Sequence, residues 1–370
     1  MSETPIVIAE RASAEGKIGR ITLDVPATLN SLTLEMVDML AAQLEAWRED
    51  EAVAAVFIDG AGEKAFCAGG DVQALYRSAI ETPGGPCEYA ETFFAREYRM
   101  NHALHTYPKP LLCWGHGIVM GGGLGVLAGC SQRIVTEKTR IAMPEITIAL
   151  FPDVGGTWFL NRMPGKAGLF LALTGASINA ADAIYCGIAD HFIASEHKAE
   201  VLTELTRQAW TQSGASNHER MAALLQPFAH SSAGQQPAGQ VEPHQATIDA
   251  LCDGEDIHQI IDNILNLETQ DPWLDRAKQN LAGGSPLAAL WIHRQLVQNR
   301  HASLPEVFQS EIQLATNIVR HPEFAEGVRA LLIDKDRTPA WQYSESRAVP
   351  EALLQRLFTA PWDSNPLADL

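Results

Sequence analysis

Residues 111–130, LLCWGHGIVMGGGLGVLAGC, form a run of 20 residues without a formal charge, and this run constrains the fold most strongly. Its length matches the roughly 20 apolar residues of a membrane span, and Gly117, Gly121, Gly125 and Gly129 show the four-residue spacing of packed membrane helices. The run nevertheless holds seven glycines, and each costs a helix about 1 kcal/mol relative to alanine. We therefore predict a buried strand, a Gly-rich turn and a buried helix instead of a membrane span.

Similar patterns flank this run. Residues 6–24 alternate around Glu15-Gly16-Lys17 and predict a hairpin, and the apolar run Val53–Ile58 predicts a buried strand followed by a loop and a helix. Strands that alternate with helices predict an α/β fold with a mostly parallel sheet. The character of the sequence changes after about Ser213: residues 230–243 have a polar composition that predicts a flexible loop, and from Gln245 onward the patterns are helical. We therefore predict an α/β core over residues 1–200 and a helical region over residues 201–370 that packs on it.

The charge balance excludes some classes of partner. The chain has 27 Lys and Arg against 45 Asp and Glu, a formal net charge of −18, which argues against nucleic-acid binding and against docking on anionic membranes. The six cysteines are scattered without a CxxC pair, and no HExxH or similar spacing predicts a metal site. Residues 1–20 lack the apolar core of a secretory signal. We expect reduced thiols, no metal and a cytoplasmic location.

Two Gly-rich loops follow predicted strands and precede predicted helices. They are Phe66–Asp71 (FCAGGD) and Met120–Gly123 (MGGG). A loop that enters a helix presents free backbone N–H groups, and two such loops side by side can direct two N–H groups at one oxygen, as in an oxyanion hole. The structural alternative is that the glycines only permit tight packing at two strand–helix turns.

Two carboxylates stand in otherwise apolar surroundings. Glu145 lies in Met143-Pro144-Glu145, and Asp153 lies in the stretch IALFPDVGG. Carboxylates in apolar stretches are usually paired, exposed or functional, and two of them near an oxyanion hole can act as acid and base. In the structural alternative, Glu145 begins a turn and Asp153 caps the helix that follows it.

Taken together, three motifs resemble the crotonase (enoyl-CoA hydratase/isomerase) superfamily. They are Lys64–Asp71 (KAFCAGGD), His116–Gly123 (HGIVMGGG) and Met143–Glu145 (MPE). The resemblance implies a spiral of ββα units, an acyl-CoA substrate whose coenzyme A is the only cofactor-like group, and a homo-oligomer. It also implies that the thioester oxygen accepts N–H bonds from Ala68 and Gly122. Further substrate contacts are implied for Gly70, Asp71, Gly121 and Glu97.

Other residues indicate which reaction of the superfamily to expect. Its hydratases use two glutamates, and this chain has Gly125 where the second would stand. Phe151–Gly156 (FPDVGG), Glu97 in Arg96-Glu97-Tyr98, and His321–Arg329 (HPEFAEGVR) instead resemble the thioester hydrolases of the superfamily. The implied reaction is hydrolysis of a short 3-hydroxyacyl-CoA, above all 3-hydroxyisobutyryl-CoA, as in valine breakdown.

Roles for three carboxylates follow from this resemblance. Glu145 is expected to activate water or to attack the thioester directly, with an acyl-enzyme anhydride as the product of the direct attack. Asp153 is expected to bind the substrate hydroxyl or to relay a proton, and Glu97 to line the acyl pocket. The alternatives are an enoyl-CoA hydratase or isomerase, and a non-catalytic acyl-CoA-binding member of the fold.

Overall fold

The computed structural model of the chain describes residues 4–211 and 213–370. Within these ranges the strands are β1 (Ile6–Ala12), β2 (Lys17–Leu23), β3 (Val53–Gly60), β4 (Ala65–Cys67), β5 (Leu111–Gly115), β6 (Ile118–Met120), β7 (Gln132–Val135), β8 (Arg140–Ala142) and β9 (His191–Phe192). The α-helices are α1 (Leu34–Glu49), α2 (Val72–Glu81), α3 (Glu88–His105), α4 (Gly122–Gly129), α5 (Gly156–Leu160), α6 (Ala167–Thr174), α7 (Ala180–Tyr185), α8 (Lys198–Arg207), α9 (Gly214–Ser232), α10 (Val241–Leu251), α11 (Ile257–Leu265), α12 (Pro272–Gly283), α13 (Pro286–Gln298), α14 (Leu304–Val319), α15 (Pro322–Val328) and α16 (Glu351–Leu357).

A six-stranded sheet has the order β1-β2-β3-β5-β7-β9. The predicted hairpin is confirmed, since β1 and β2 pair antiparallel with Ile6 opposite Leu23. The remaining neighbours pair parallel, as expected when helices connect successive strands. All residues of β3 and β5 are buried, which explains their continuous apolar sequence. The predicted α/β class is confirmed.

The uncharged run at residues 111–130 contains the predicted buried strand and buried helix, with an additional short strand between them. It forms β5, β6 and α4, and every residue of α4 is buried. In the described part of the chain, no helix combines the length and the apolar character that crossing a membrane requires. The glycines break the run into short elements, so its apolar character reflects a buried core.

The described residues group into two compact units. The first comprises Met1–Gly70, Met100–Ile141 and Ile178–Gln240, and the second comprises Asp71–Arg99, Ala142–Ser177 and Val241–Leu370. Each unit therefore combines stretches from both sides of residue 200. The division into a core over residues 1–200 and a helical region over residues 201–370 stays a prediction. In the first unit one core cluster joins the six-stranded sheet to α8 and α9 through residues that include Phe57, Trp114, Leu205, Trp210 and Met221. The second unit holds most of the C-terminal helices, which confirms the helical character expected there.

The prediction of a flexible loop over residues 230–243 is wrong at both ends. Helix α9 continues to Ser232, and α10 already begins at Val241. Between them, the Ala238 carbonyl accepts a bond from Asn179 Nδ2 at 2.7 Å, and the Gln240 N–H donates to Asp182 Oδ1 at 2.6 Å. The connecting backbone is thus bound by side chains at the start of α7.

Candidate active site

The two Gly-rich loops lie side by side. Strands β4 and β6 pair parallel, so the loops that follow them leave the small β4-β6-β8 sheet at the same edge. A Cβ atom on Gly123 would lie 2.4 Å from the Cys67 carbonyl oxygen, and one on Gly69 would lie 3.8 Å from the Gly122 nitrogen. Gly69 also has a φ of +111°, which disfavours other residues. Glycine therefore permits the close contact between the two loops. This is the tight packing that the structural alternative expects.

The structure corrects one predicted donor. The Ala68 N–H donates to the Leu29 carbonyl at 3.0 Å, so this N–H is already used within the fold. The Leu32 N–H binds the Gly69 carbonyl at 2.8 Å and fixes the same loop. The next N–H, that of Gly70, has no hydrogen-bond partner among the residues that the structure describes. Gly70, predicted only as a substrate contact, is thus the available donor of this loop.

The second loop provides its donor at the start of a helix. Gly121 is the N-cap of α4 with a φ of +47°, and no side chain caps this helix. The first N–H groups of a helix have no partner inside the helix, and the Gly122 N–H accordingly makes no bond within residues 4–211 and 213–370. Gly70 and Gly122 therefore present free N–H groups on two touching loops, an arrangement that can bind an oxygen with partial negative charge.

Asp71, another predicted substrate contact, has a structural partner. Its Oδ1 accepts the Ala74 N–H at 3.1 Å and caps α2. An aspartate N-cap is a common way to begin a helix. A contact between Asp71 and substrate stays a prediction, whereas its role in starting α2 is observed.

Three predicted carboxylates come together in the second unit. Glu145 begins a short 3₁₀-helix, Glu145–Ile148, Asp153 lies in the turn before α5, and Glu97 lies on α3. They are 5 %, 4 % and 2 % exposed, respectively. The negative charges of Asp153 and Glu145 add to burial in raising the pKa of Glu97, which places the three groups within electrostatic reach of one another.

Burial changes the protonation of this cluster. Desolvation raises the pKa of Glu145 well above its ordinary 4.5, with a further contribution from the charge of Asp153. Burial also raises the pKa of Asp153 to about 6, although the Tyr98 hydroxyl, which donates to its Oδ2 at 2.6 Å, favours the ionised form. Oε1 of Glu97 and Oε2 of Glu145 are buried without a hydrogen-bond partner among the described residues. Carboxyl groups that titrate nearer to neutral pH and keep free oxygens are suited to acid–base or nucleophilic chemistry.

Asp153 does not cap the helix that follows it, so this structural alternative is wrong. Helix α5 begins at Gly156 with Gly155 as its N-cap. The N–H groups of Gly155 and Thr157 donate instead to the two carboxylate oxygens of Glu311 on α14, at 2.8 and 2.9 Å. The carboxylate of Asp153 is left for its bond with Tyr98.

Sequence reasoning missed Tyr98 and Glu311. Tyr98 directly follows Glu97, but a tyrosine on an amphipathic helix gives no sign that its hydroxyl meets a buried carboxylate. Glu311 lies on α14 (LPEVFQSEIQLATNIV), whose mixture of polar and apolar residues is typical of any helix with one buried face. This pattern does not single out Glu311. Only the packing of α14 reveals that this glutamate is fully buried.

We expect the destabilisation caused by Tyr98→Phe to grow as pH rises through about 6. The folded-state pKa of Asp153 lies above its ordinary value of 3.8, so the fold binds this proton more tightly than the unfolded chain does, and stability decreases as Asp153 ionises. A hydrogen bond to a neutral group contributes about 1 kcal/mol, and one to a charged group about 2 kcal/mol. The unfolding free energy from urea titration should therefore drop by about 1 kcal/mol at pH 4 and about 2 kcal/mol at pH 7.5.

Tyr107→Phe is the matched control. The Tyr107 hydroxyl is also buried, but it donates to the uncharged Leu44 carbonyl at 2.7 Å. Its removal should cost the same free energy at both pH values. An equal cost for Tyr98→Phe at both values would show that Tyr98 does not stabilise an ionised Asp153.

Known proteins resemble this chain in sequence and in fold. The profile of the family described as enoyl-CoA hydratase/isomerase matches residues 18–358. The protein named 3-hydroxyisobutyryl-CoA hydrolase, mitochondrial, is 38 % identical in Danio rerio over 93 % of this chain and 88 % of that protein. Its namesake from Homo sapiens is 36 % identical over 93 % of this chain and 86 % of that protein.

Solved structures agree with this relationship. A carnitinyl-CoA dehydratase from Mycobacterium thermoresistibile is 34 % identical, covers 97 % of this chain and 98 % of its own, and superposes with a TM-score of 0.84. An enoyl-CoA hydratase from Rhodobacter sphaeroides is 32 % identical, with 96 % and 97 % coverage and a TM-score of 0.81. The profile match, the identities and the shared fold together show that the chain belongs to the enoyl-CoA hydratase/isomerase family, the crotonase superfamily.

Proposed function

We propose that this protein hydrolyses a short 3-hydroxyacyl-CoA thioester, above all 3-hydroxyisobutyryl-CoA, to the free acid and coenzyme A. The observation that carries the proposal is the buried group of Glu145, Asp153 and Glu97, in which Glu145 keeps a free carboxylate oxygen. Relatives named 3-hydroxyisobutyryl-CoA hydrolase, which are 34–38 % identical over most of the chain, support the choice of substrate.

The proposed chemistry assigns a task to each group. The N–H groups of Gly70 and Gly122 bind the thioester oxygen as it becomes negative, and one such donor typically contributes about 3 kcal/mol to transition-state binding. Glu145 either takes a proton from the attacking water or attacks the carbonyl carbon itself and gives an anhydride that water then opens. In both routes the C–S bond breaks, the coenzyme A sulfur takes up a proton, and the acid retains an oxygen of water.

The other two carboxylates act on the acyl chain. Asp153, held by Tyr98, is proposed to bind the 3-hydroxyl group or to relay a proton to the leaving sulfur. Glu97 is proposed to line the acyl pocket. Attack on a thioester by water or a carboxylate needs no metal or redox cofactor, so coenzyme A enters only as part of the substrate.

Addition of water to an enoyl-CoA is the second candidate, because two related structures carry the names of a hydratase and a dehydratase. The two-glutamate reaction of the family's hydratases requires a carboxylate on α4, where this chain has the fully buried Gly125. The carboxylate near Glu145 comes instead from Asp153. This difference favours the hydrolase.

We also propose that the protein works in the cytoplasm as a homo-oligomer. All six cysteines are buried thiols outside any disulfide, which fits a reducing compartment. The names of the relatives place those proteins in mitochondria, so fractionation of cells that express this chain tests the proposed cytoplasmic location.

An assay with two substrates tests the proposal. The purified protein is incubated with 3-hydroxyisobutyryl-CoA and, separately, with crotonyl-CoA, while free thiol and the enoyl absorbance are followed. We expect thiol release from the first substrate and a stable enoyl absorbance with the second. Absence of thiol release from 3-hydroxyisobutyryl-CoA would disprove the hydrolase, and loss of the enoyl absorbance without thiol release would support the hydratase.

A further inference from the structure

Glu311 is a buried carboxylate for which the hydrolysis itself has no use. It lies on α14, is 0 % exposed, and uses both oxygens to bind the N–H groups of Gly155 and Thr157 at 2.8 and 2.9 Å. A helix N-terminus is usually capped by the residue that precedes it, but the N-cap of α5 is a glycine without a side chain. A carboxylate from a distant helix takes over this task.

The turn that Glu311 binds is strained. Val154, directly after Asp153, has a φ of +54°, and Gly155 has a φ of +85°. A β-branched residue with positive φ costs on the order of 1–3 kcal/mol and persists only when the surroundings hold it in place. The two hydrogen bonds that Gly155 and Thr157 donate to one buried carboxyl group provide that restraint.

Helix α14 also contacts the partner of Asp153. Phe308 lies three residues before Glu311, and residues at this spacing share one face of a helix. The ring of Phe308 lies 6.2 Å from that of Tyr98, whose hydroxyl binds Asp153. Gln295 on α13 adds a bond at 3.4 Å to the Thr157 hydroxyl. One face of α14 therefore restrains Asp153 from two sides, through its turn and through Tyr98.

We propose that Glu311 is a positioning residue for the hydrolysis, which fixes the direction of the Asp153 carboxylate by binding the strained turn at Val154–Thr157. This inference rests on the proposed function and deepens it. Burial raises the pKa of Glu311 to about 8, which marks the free-energy cost of keeping a carboxylate here. A glutamine would avoid that cost, but its amide offers one acceptor where the turn presents two donors.

Kinetics of three variants test the proposal. Glu311→Gln keeps the shape and one acceptor, Glu311→Ala removes both, and Glu323→Gln is the control. Glu323 is 2 % exposed and also has two partners, since it accepts from the Ser285 hydroxyl at 2.7 Å and from the Gln342 N–H at 3.0 Å. We expect kcat for thiol release to fall about tenfold in Glu311→Gln and about 100-fold in Glu311→Ala, with KM within about twofold, because misplacement of a reacting group affects mainly the chemical step. Glu323→Gln should keep the wild-type kcat.

Hydrogen exchange provides a readout that does not depend on turnover. Mass spectrometry of peptides covering residues 153–160 should show faster amide exchange in both Glu311 variants and unchanged exchange in Glu323→Gln. A wild-type kcat in Glu311→Ala, an equal loss in Glu323→Gln, or unchanged exchange at residues 153–160 would each overturn the proposal. A wild-type protein that releases no thiol would instead disprove the hydrolase, and exchange alone would then decide whether Glu311 restrains the turn.

Discussion

Glu145→Gln is expected to lower the rate of thiol release from 3-hydroxyisobutyryl-CoA by about 10³-fold, while binding of the acyl-CoA persists. The amide has nearly the shape of the carboxylate, so the packing around the 3₁₀-helix Glu145–Ile148 should survive. It can neither take a proton from water nor attack the thioester carbon. Stopped assays of free thiol measure the first effect, and isothermal titration with the unreacted substrate measures the second.

Glu323→Gln serves here as well, since Glu323 is a buried glutamate that is not one of the three carboxylates of the proposed site. Comparison with this control separates a loss of chemistry from the general effect of changing a buried glutamate. Turnover of Glu145→Gln within about tenfold of the wild type would contradict a role of Glu145 as base or nucleophile. Loss of substrate binding in the same variant would show that Glu145 acts mainly in recognition.

Gly123→Ala should have the second largest effect, because it forces the two Gly-rich loops apart. The new methyl group would lie 2.4 Å from the Cys67 carbonyl oxygen. The methyl group is bonded directly to the backbone and the oxygen is part of it, so neither can rotate away. Moving the start of α4 changes the direction of the Gly122 N–H. Loss of one oxyanion donor typically lowers kcat by about 10²–10³-fold, and overpacking costs about 1–3 kcal/mol of stability.

Gly234→Ala is the matched control, since a Cβ there would meet nothing within 4 Å. It should leave kcat and the urea midpoint unchanged. Both variants are compared with the wild type by thiol release and by urea unfolding at one pH. A Gly123→Ala protein with wild-type kcat would mean that the Gly122 N–H does not bind the reacting oxygen.

Some features of the site depend on short stretches of sequence, and these could be predicted. The glycines within residues 111–130 interrupt an apolar run and predict a strand, a turn and a helix. The structure confirms the strand as β5 and the helix as α4, and adds the short strand β6 between them. The parallel order of strands then predicts that the two Gly-rich loops meet at one sheet edge, because successive parallel strands end on the same side. The motifs around Glu145 and Asp153 likewise indicated these two carboxylates as candidates for acid–base chemistry.

Tertiary contacts decided the remaining features. Whether the N–H of Ala68 or that of Gly70 is free depends on the Leu29 carbonyl, which a distant segment brings to the loop. The raised pKa of Asp153 arises from desolvation by the whole surrounding fold, and its partner Tyr98 is set by how α3 packs. Nothing near Glu311 in sequence shows that it binds the turn after Asp153. Short stretches of sequence therefore specify most of the elements, the family and the carboxylates. Hydrogen-bond partners and protonation follow only from the packed structure, because both depend on residues that are far apart along the chain.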